Sequence, residues 1–144
     1  METMRLRAYQ QRLVDVALSY NTVVILPTGA GKTLIAGELF RRKVGPSVFF
    51  VPACVLVEQQ ADALRSWTQL SVGKYMGGLS FPSTYDILVT TPKAFESAQV
   101  RGTAPPYSTK VQPCIFSSKP NQIKCQYTIT TTILMHQCIP YNTY

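Results

Sequence analysis

The last third of the sequence contains no acid. Glu2, Asp15, Glu38, Glu58, Asp62, Asp86 and Glu96 are all seven of the Asp and Glu residues, so 97–144 has no carboxylate side chain. Chemistry that needs a carboxylate, as metal ligand or general base, must draw it from earlier in the chain. The four cysteines, Cys54, Cys114, Cys125 and Cys138, form no C-x-x-C pair. Nor is there an apolar run near the roughly 20 residues that a membrane-spanning helix needs. The opening METMRLRAYQ lacks the apolar stretch of a secretory signal. These absences lead us to expect a cytoplasmic or nuclear chain with free thiols and no membrane partner.

What is present fits one compact domain. A chain of 144 residues, 46% hydrophobic and 15% charged, can bury one core but not two. The net charge is +7, and Arg101, Lys110, Lys119 and Lys124 make the acid-free segment basic. That balance is compatible with nucleic acid, although the charge is sparse rather than clustered.

Helical and extended patterns alternate through the first hundred residues. Leu6, Tyr9, Leu13, Val16 and Tyr20 recur at spacings of three and four, which predicts an amphipathic helix over 6–20 with those side chains inward. NTVVILP reads as a wholly apolar strand, suited to a parallel sheet buried on both faces. LIAGELFRRK reads as a helix ending on basic residues, which suit its negative C-terminal dipole. SVFFVP and YDILVTTP read as further strands. VLVEQQADALRSW is a helix with Val57, Ala61 and Leu64 on one face, and KAFESA opens another. Such alternation predicts a doubly wound α/β sheet. After about residue 98 the pattern stops. Residues 99–144 have many Ser, Thr and Pro and no helical period, so the expectation there is an irregular tail, with β propensity at YTITTTILM.

LPTGAGKT, residues 26–33, departs from the phosphate-loop pattern G-x-x-x-x-G-K-[ST] only at Leu26. The glycines that matter most are those where backbone curls around phosphate oxygen, here Gly29 and Gly31. Leu26 falls at the end of a strand, where a side chain is tolerated. An apolar strand precedes the loop and a helix follows it, which places backbone N–H groups and a helix N-terminus toward an anion. The loop reading makes Pro27, Thr28, Gly29, Ala30, Gly31, Lys32 and Thr33 an ATP site. Lys32 reaches the β- and γ-phosphates and Thr33 ligates Mg²⁺.

PTGAGKT resembles motif I of the superfamily-2 helicases, which commonly lack the first glycine. LRAYQ ends in Gln10 and resembles the family's Q motif. Taken alone Gln10 is an ordinary helix residue, but in that motif its amide both donates to and accepts from adenine, which implies a preference for ATP. VPACVLVEQQ, with Pro52, Leu56 and Gln59, resembles motif Ia. Gly77 and Gly78 resemble the glycine pair that follows it, and Thr91 and Pro92 in TTPKAF resemble motif Ib. Each of these, taken singly, reads as a loop closing a strand. Together and in order they imply contacts to the phosphates of a nucleic-acid strand, which position it without reading its sequence. The longer wording NTVVILPTGAGKTLIAGEL, VFFVPACVLVEQQA and VGKYMGG is similar to the helicase domains of Dicer-like nucleases and the related antiviral RNA sensors. That favours RNA over DNA. The resemblance spans about Arg5 to Ser97 and implies a partial RecA-like P-loop domain over 1–98, with 99–144 unassigned.

The resemblance also implies something this chain lacks. The family's D-E-x-[HD] segment, which holds Mg²⁺ and positions the attacking water, belongs downstream of motif Ib. No acid stands there. The expectation is therefore an ATP-binding portion truncated before that motif and inactive in hydrolysis alone. Three readings of the tail stay open: translated intron or shifted frame, a natural short isoform acting on a full-length homologue, or a small metal module from Cys114, Cys125, His136 and Cys138. The spacing of that last set does not match a zinc finger. A P-loop kinase reading leaves Gln10 and motif Ia unexplained.

Overall fold

The structure is a computed structural model that describes residues 5–20, 22–27, 29–43 and 45–104, except the side chain of Val23. It also describes the backbone of 112–117 and 133–138. The elements in chain order are α1 (Ala8–Ser19), β1 (Thr22–Pro27), α2 (Lys32–Arg42), β2 (Ser47–Phe50), α3 (Val55–Thr68), β3 (Val72–Tyr75), β4 (Ile87–Thr90), α4 (Pro92–Val100), β5 (Gln112–Ser117) and β6 (Ile133–Cys138). The strands form one sheet in the order β1-β6-β5-β2-β4-β3, and every pairing is parallel.

Side chains of β2 and β4 alternate between the two faces, as strand geometry requires. Phe49, Val51, Ile87 and Val89 join Val14, Ile35, Leu39, Val57, Ala61 and Leu64 in a core beneath α1, α2 and α3. Val48, Phe50 and Leu88 point the other way and pack with Tyr75, Phe95 and Ala98 beneath α4. The Phe50 and Phe95 rings meet edge to face at 5.6 Å. Helices thus cover both faces, which is why β2 and β4 are buried along their whole length.

Three expectations need correction. The buried face of α1 is Gln10, Val14 and Ala17; Leu6 and Leu13 pack half-buried against the core, whereas Tyr9, Val16 and Tyr20 are exposed. The helix is rotated relative to the apolar count because Gln10, a polar residue, faces inward. β1 is not buried on both faces: Val24 is inside, but Ile25 is 61% exposed. And 99–144 is not irregular throughout, because β5 and β6 lie within the sheet, between β2 and β1. β3 and β5 carry no strand signal in the sequence; in β3, Gly73 and Lys74 interrupt the apolar run. A Cβ on Gly73 would meet Pro82 Cγ at 3.1 Å, so the chain passes close over this strand.

α1 and α2 are joined by a polar fork. Arg42 donates from Nε to Glu38 Oε1 at 2.8 Å, from Nη1 to Asp15 Oδ1 at 3.0 Å and from Nη2 to Gln11 Oε1 at 3.0 Å. The hydrogen bond with Glu38, helped by the charges of Glu38 and Asp15, holds the guanidinium above its ordinary value against partial desolvation.

Candidate nucleotide-binding site

All strands run the same way, so the segments following β1, β2, β3 and β4 emerge at one edge of the sheet. This is where open α/β sheets place their ligands. The loop after β1 carries the phosphate-loop residues. Gly29 and Gly31 have φ of 82° and 80°, the left-handed region that L side chains rarely adopt. α2 begins at Lys32 with Gly31 as its N-cap and no side-chain cap, so no side chain of the cap covers its first amides. Thr28 lies outside the described residues.

Leu26 sits in β1 and packs against the core below the three helices. Its side chain belongs to the fold and its carbonyl to the loop, so glycine is unnecessary there. Lys32 is 6% exposed, and its ammonium donates to the carbonyls of Leu26 at 2.8 Å and Pro27 at 2.9 Å. The loop thus wraps around its own lysine. Phosphate oxygens would be stronger, charge-assisted acceptors for the same donors.

Gln10 braces the loop from α1. Its Nε2 donates to the Ala30 carbonyl at 3.0 Å, and its Oε1 accepts from the Arg7 amide at 2.8 Å. Tyr9 adds a second donor to Ala30, its hydroxyl lying 2.8 Å from the same oxygen. Tyr9 was assigned to the apolar face of α1 in the sequence, yet it works at the loop. One further hydrogen on Nε2 and one lone pair on Oε1 remain, which is the pair of functions an adenine edge would use.

Thr33 lies in the first turn of α2. Its Oγ1 donates to Gln60 Oε1 at 2.9 Å, which leaves the oxygen lone pairs for a cation. Thr33 therefore fits the Mg²⁺ ligand role by its chemistry. Gln60 was not marked by the sequence, which pointed to its neighbour. Gln59 is exposed on α3 and does not meet the loop.

The strand-contact candidates follow β2, β3 and β4 at the same sheet edge, and the Val51 amide donates to the Thr90 carbonyl at 2.9 Å, which sets the segments of Pro52 and Thr91 side by side. Pro52, Gly77, Gly78 and Pro92 are exposed. Thr91 is 8% exposed, and its hydroxyl oxygen accepts from the Ala94 amide at 3.3 Å as the N-cap of α4. Cys54, just before α3, is a free exposed thiol. Among the described residues no group of His, Cys, Asp and Glu could hold a metal, and no helix is long and apolar enough to cross a membrane. The side chains of Cys114, Cys125, His136 and Cys138 lie outside the described residues.

Comparison with known proteins agrees with this geometry. Residues 3–129 match the family described as Type III restriction enzyme, res subunit (ResIII), well beyond the span to Ser97 over which the motifs were legible. Endoribonuclease Dicer homolog 2 of Arabidopsis thaliana is 46% identical over 105 residues, covering 60% of this chain and 8% of that protein. Protein Dicer of Schizosaccharomyces pombe is 33% identical over 121 residues, covering 67% of this chain and 9% of that protein. The chain thus spans under a tenth of the length of these curated relatives. Among solved structures, a hypothetical ATP-dependent RNA helicase from Sulfolobus tokodaii superposes with a TM-score of 0.73 at 20% identity, over 98% of this chain and 49% of that one. The Pyrococcus furiosus Hef helicase domain gives 0.72 at 22% identity, over 96% of this chain and 34% of that one. Those two share the fold. The chain belongs to the ResIII family; it has a RecA-like parallel sheet and a sequence similar to those of Dicer proteins.

Proposed function

We propose that these 144 residues bind ATP and Mg²⁺ on the loop from Pro27 to Thr33, as the nucleotide-binding part of an ATP-dependent helicase or translocase. The observation that carries this reading is the loop itself. Two left-handed glycines, an uncapped helix start and the Lys32 ammonium converge at the carboxyl edge of a parallel sheet. The loops around Pro52, Gly77 and Gly78, and Thr91 and Pro92 share that edge and would hold a nucleic-acid strand by its phosphates. Relatives named as Dicer endoribonucleases support RNA as that strand.

When bound, Mg²⁺ would neutralise charge on the phosphates and Thr33 would be one of its ligands. Lys32 would move from the Leu26 and Pro27 carbonyls to the phosphates, and Gln10 would hold Ala30 while reading adenine. Hydrolysis needs more: a carboxylate must orient the attacking water. The strands between β1 and β2 are β5 and β6, and neither Gln112–Ser117 nor Ile133–Cys138 contains an acid. We therefore propose that these residues bind ATP without appreciable turnover. The same acid-free segment supports a second reading, a binding module that acts on a full-length homologue.

Calorimetric titration with ATP and a phosphate-release assay test the reading. ATP should bind, Lys32→Ala should abolish binding, and phosphate release should stay at background. Turnover that Lys32→Ala removes would contradict the inactivity, and absence of ATP binding would contradict the site. Co-purification with a longer homologue would favour the second reading.

A further inference from the structure

α2 and α3 approach closely along one seam. A Cβ on Gly37 would meet Thr68 Cγ2 at 3.1 Å and Leu64 Cδ2 at 3.6 Å. One turn earlier on both helices, Thr33 and Gln60 face each other at 2.9 Å. The spacing is regular: 33 and 37 lie one turn apart on α2, while 60, 64 and 68 follow at one-turn intervals on α3. The absence of a side chain at Gly37 lets the helices come near enough for the Thr33 hydroxyl to reach the Gln60 amide.

The direction of that hydrogen bond matters. The amide oxygen accepts, so the Thr33 hydrogen is turned toward α3 and the oxygen lone pairs are left for the other side. A hydroxyl free to rotate would present its hydrogen to a cation part of the time and would lose that freedom on binding. A second group that fixes the orientation of a metal ligand typically changes metal affinity by about 10- to 100-fold when removed.

We propose that Gln60 is a positioning residue for the nucleotide site: it orients the Thr33 hydroxyl as an Mg²⁺ ligand and ties occupancy of the loop to α3. α3 begins at Val55, directly after the exposed segment that contains Pro52. A helix that follows Thr33 would therefore carry the metal's presence to the loop proposed to contact nucleic acid. The inference rests on the reading of Pro27 to Thr33 as an ATP-Mg²⁺ site.

The test measures ATP affinity of the full chain with excess Mg²⁺ and again with EDTA, for the parent protein and for Gln60→Leu, Gln60→Glu, Thr33→Val and the double change Gln60→Leu with Thr33→Val. The expected result is that Gln60→Leu weakens binding about tenfold in Mg²⁺, the lower end for a lost outer-shell partner, and leaves binding in EDTA unchanged. Gln60→Glu, which keeps an acceptor at that place, should retain the Mg²⁺ enhancement. In the Thr33→Val background, Gln60→Leu should have no further effect, because the hydroxyl it orients is gone. Equal weakening in Mg²⁺ and EDTA, or an undiminished Mg²⁺ enhancement in Gln60→Leu, overturns the inference while leaving the ATP site standing. Failure of the parent protein to bind ATP in either condition overturns both. Should Gln60→Leu fail to fold by circular dichroism, Gln60→Glu decides: loss of its Mg²⁺ enhancement with unchanged binding in EDTA overturns the proposal, and retention supports it.

Discussion

Gly31 holds two incompatible demands that only glycine meets. Its φ is 80°, and a Cβ there would come within 2.5 Å of Gln10 Nε2. That amide is buried and already bonded to Ala30 and Arg7, so it cannot swing away without breaking both contacts. Gly31→Ala is expected to cost about 1–3 kcal/mol, the scale of a strained backbone position, and to weaken ATP binding as well. Urea denaturation and calorimetry check the two effects. Gln10→Ala should leave the loop lysine in place but erase preference for ATP over GTP, which competitive titration of the two nucleotides measures. The geometry of the loop was legible in the sequence because its requirements are local: φ decides the glycines, and the loop's own carbonyls hold Lys32. Gln60 was not legible, since its role depends on how α2 crosses α3 and nothing in VEQQA distinguishes it from Gln59.

At the scale of elements, α4 shows one hydroxyl with two possible duties. Thr91 follows β4, as the family motif requires, and its oxygen caps the helix by accepting from Ala94. Thr91→Ala should destabilise the protein by about 1 kcal/mol, the usual loss for an N-cap, and Thr91→Ser should restore it. Thermal unfolding of the three proteins tests this. If nucleic-acid affinity falls for Thr91→Ala beyond what unfolding explains, the hydroxyl hydrogen also contacts phosphate. Most element positions could be read from pattern, because apolar runs bounded by turn residues need no tertiary knowledge. The face of α1 could not. Its apolar periodicity selected Tyr9 and Val16, while the inward face carries Gln10, and only the neighbouring loop explains a buried amide there. β3 escaped for a different reason: four residues containing Gly73 and Lys74 have no period. Lys74 instead pairs with Glu58 of α3, and a lysine suits a strand at the end of the sheet order.

For the whole molecule, the order of strands decides what depends on what. β1, which delivers the phosphate loop, is hydrogen-bonded in the sheet to β6 alone, and β6 in turn to β5. A chain cut after Ala104 would keep every residue of the proposed ATP site yet remove β6, the strand to which β1 is hydrogen-bonded, and leave β1 to its packing in the core. Such a chain is expected to lose cooperative thermal unfolding and ATP binding together. Retained ATP binding by the shortened chain would show that the helices suffice. Nucleic-acid binding by the full chain should weaken steeply as salt rises, with a linear fall of log affinity against log salt, as expected for contacts to phosphate. β5 was illegible and β6 was touched only by the β propensity of YTITTTILM, because a parallel strand is specified by its partners, and those partners stand far away in the chain.

That distance has a consequence for how the protein is made. Thr22 pairs with Ile133 and Pro27 with Cys138, so β1 must wait during synthesis for a strand made far later in the chain. Until β6 emerges, the loop proposed to hold ATP has a helix after it but no settled place in a sheet. Nucleotide would then act as a late arrival, selecting finished molecules rather than guiding unfinished ones. Chains stalled before residue 133 would expose the edge of β5 in the meantime.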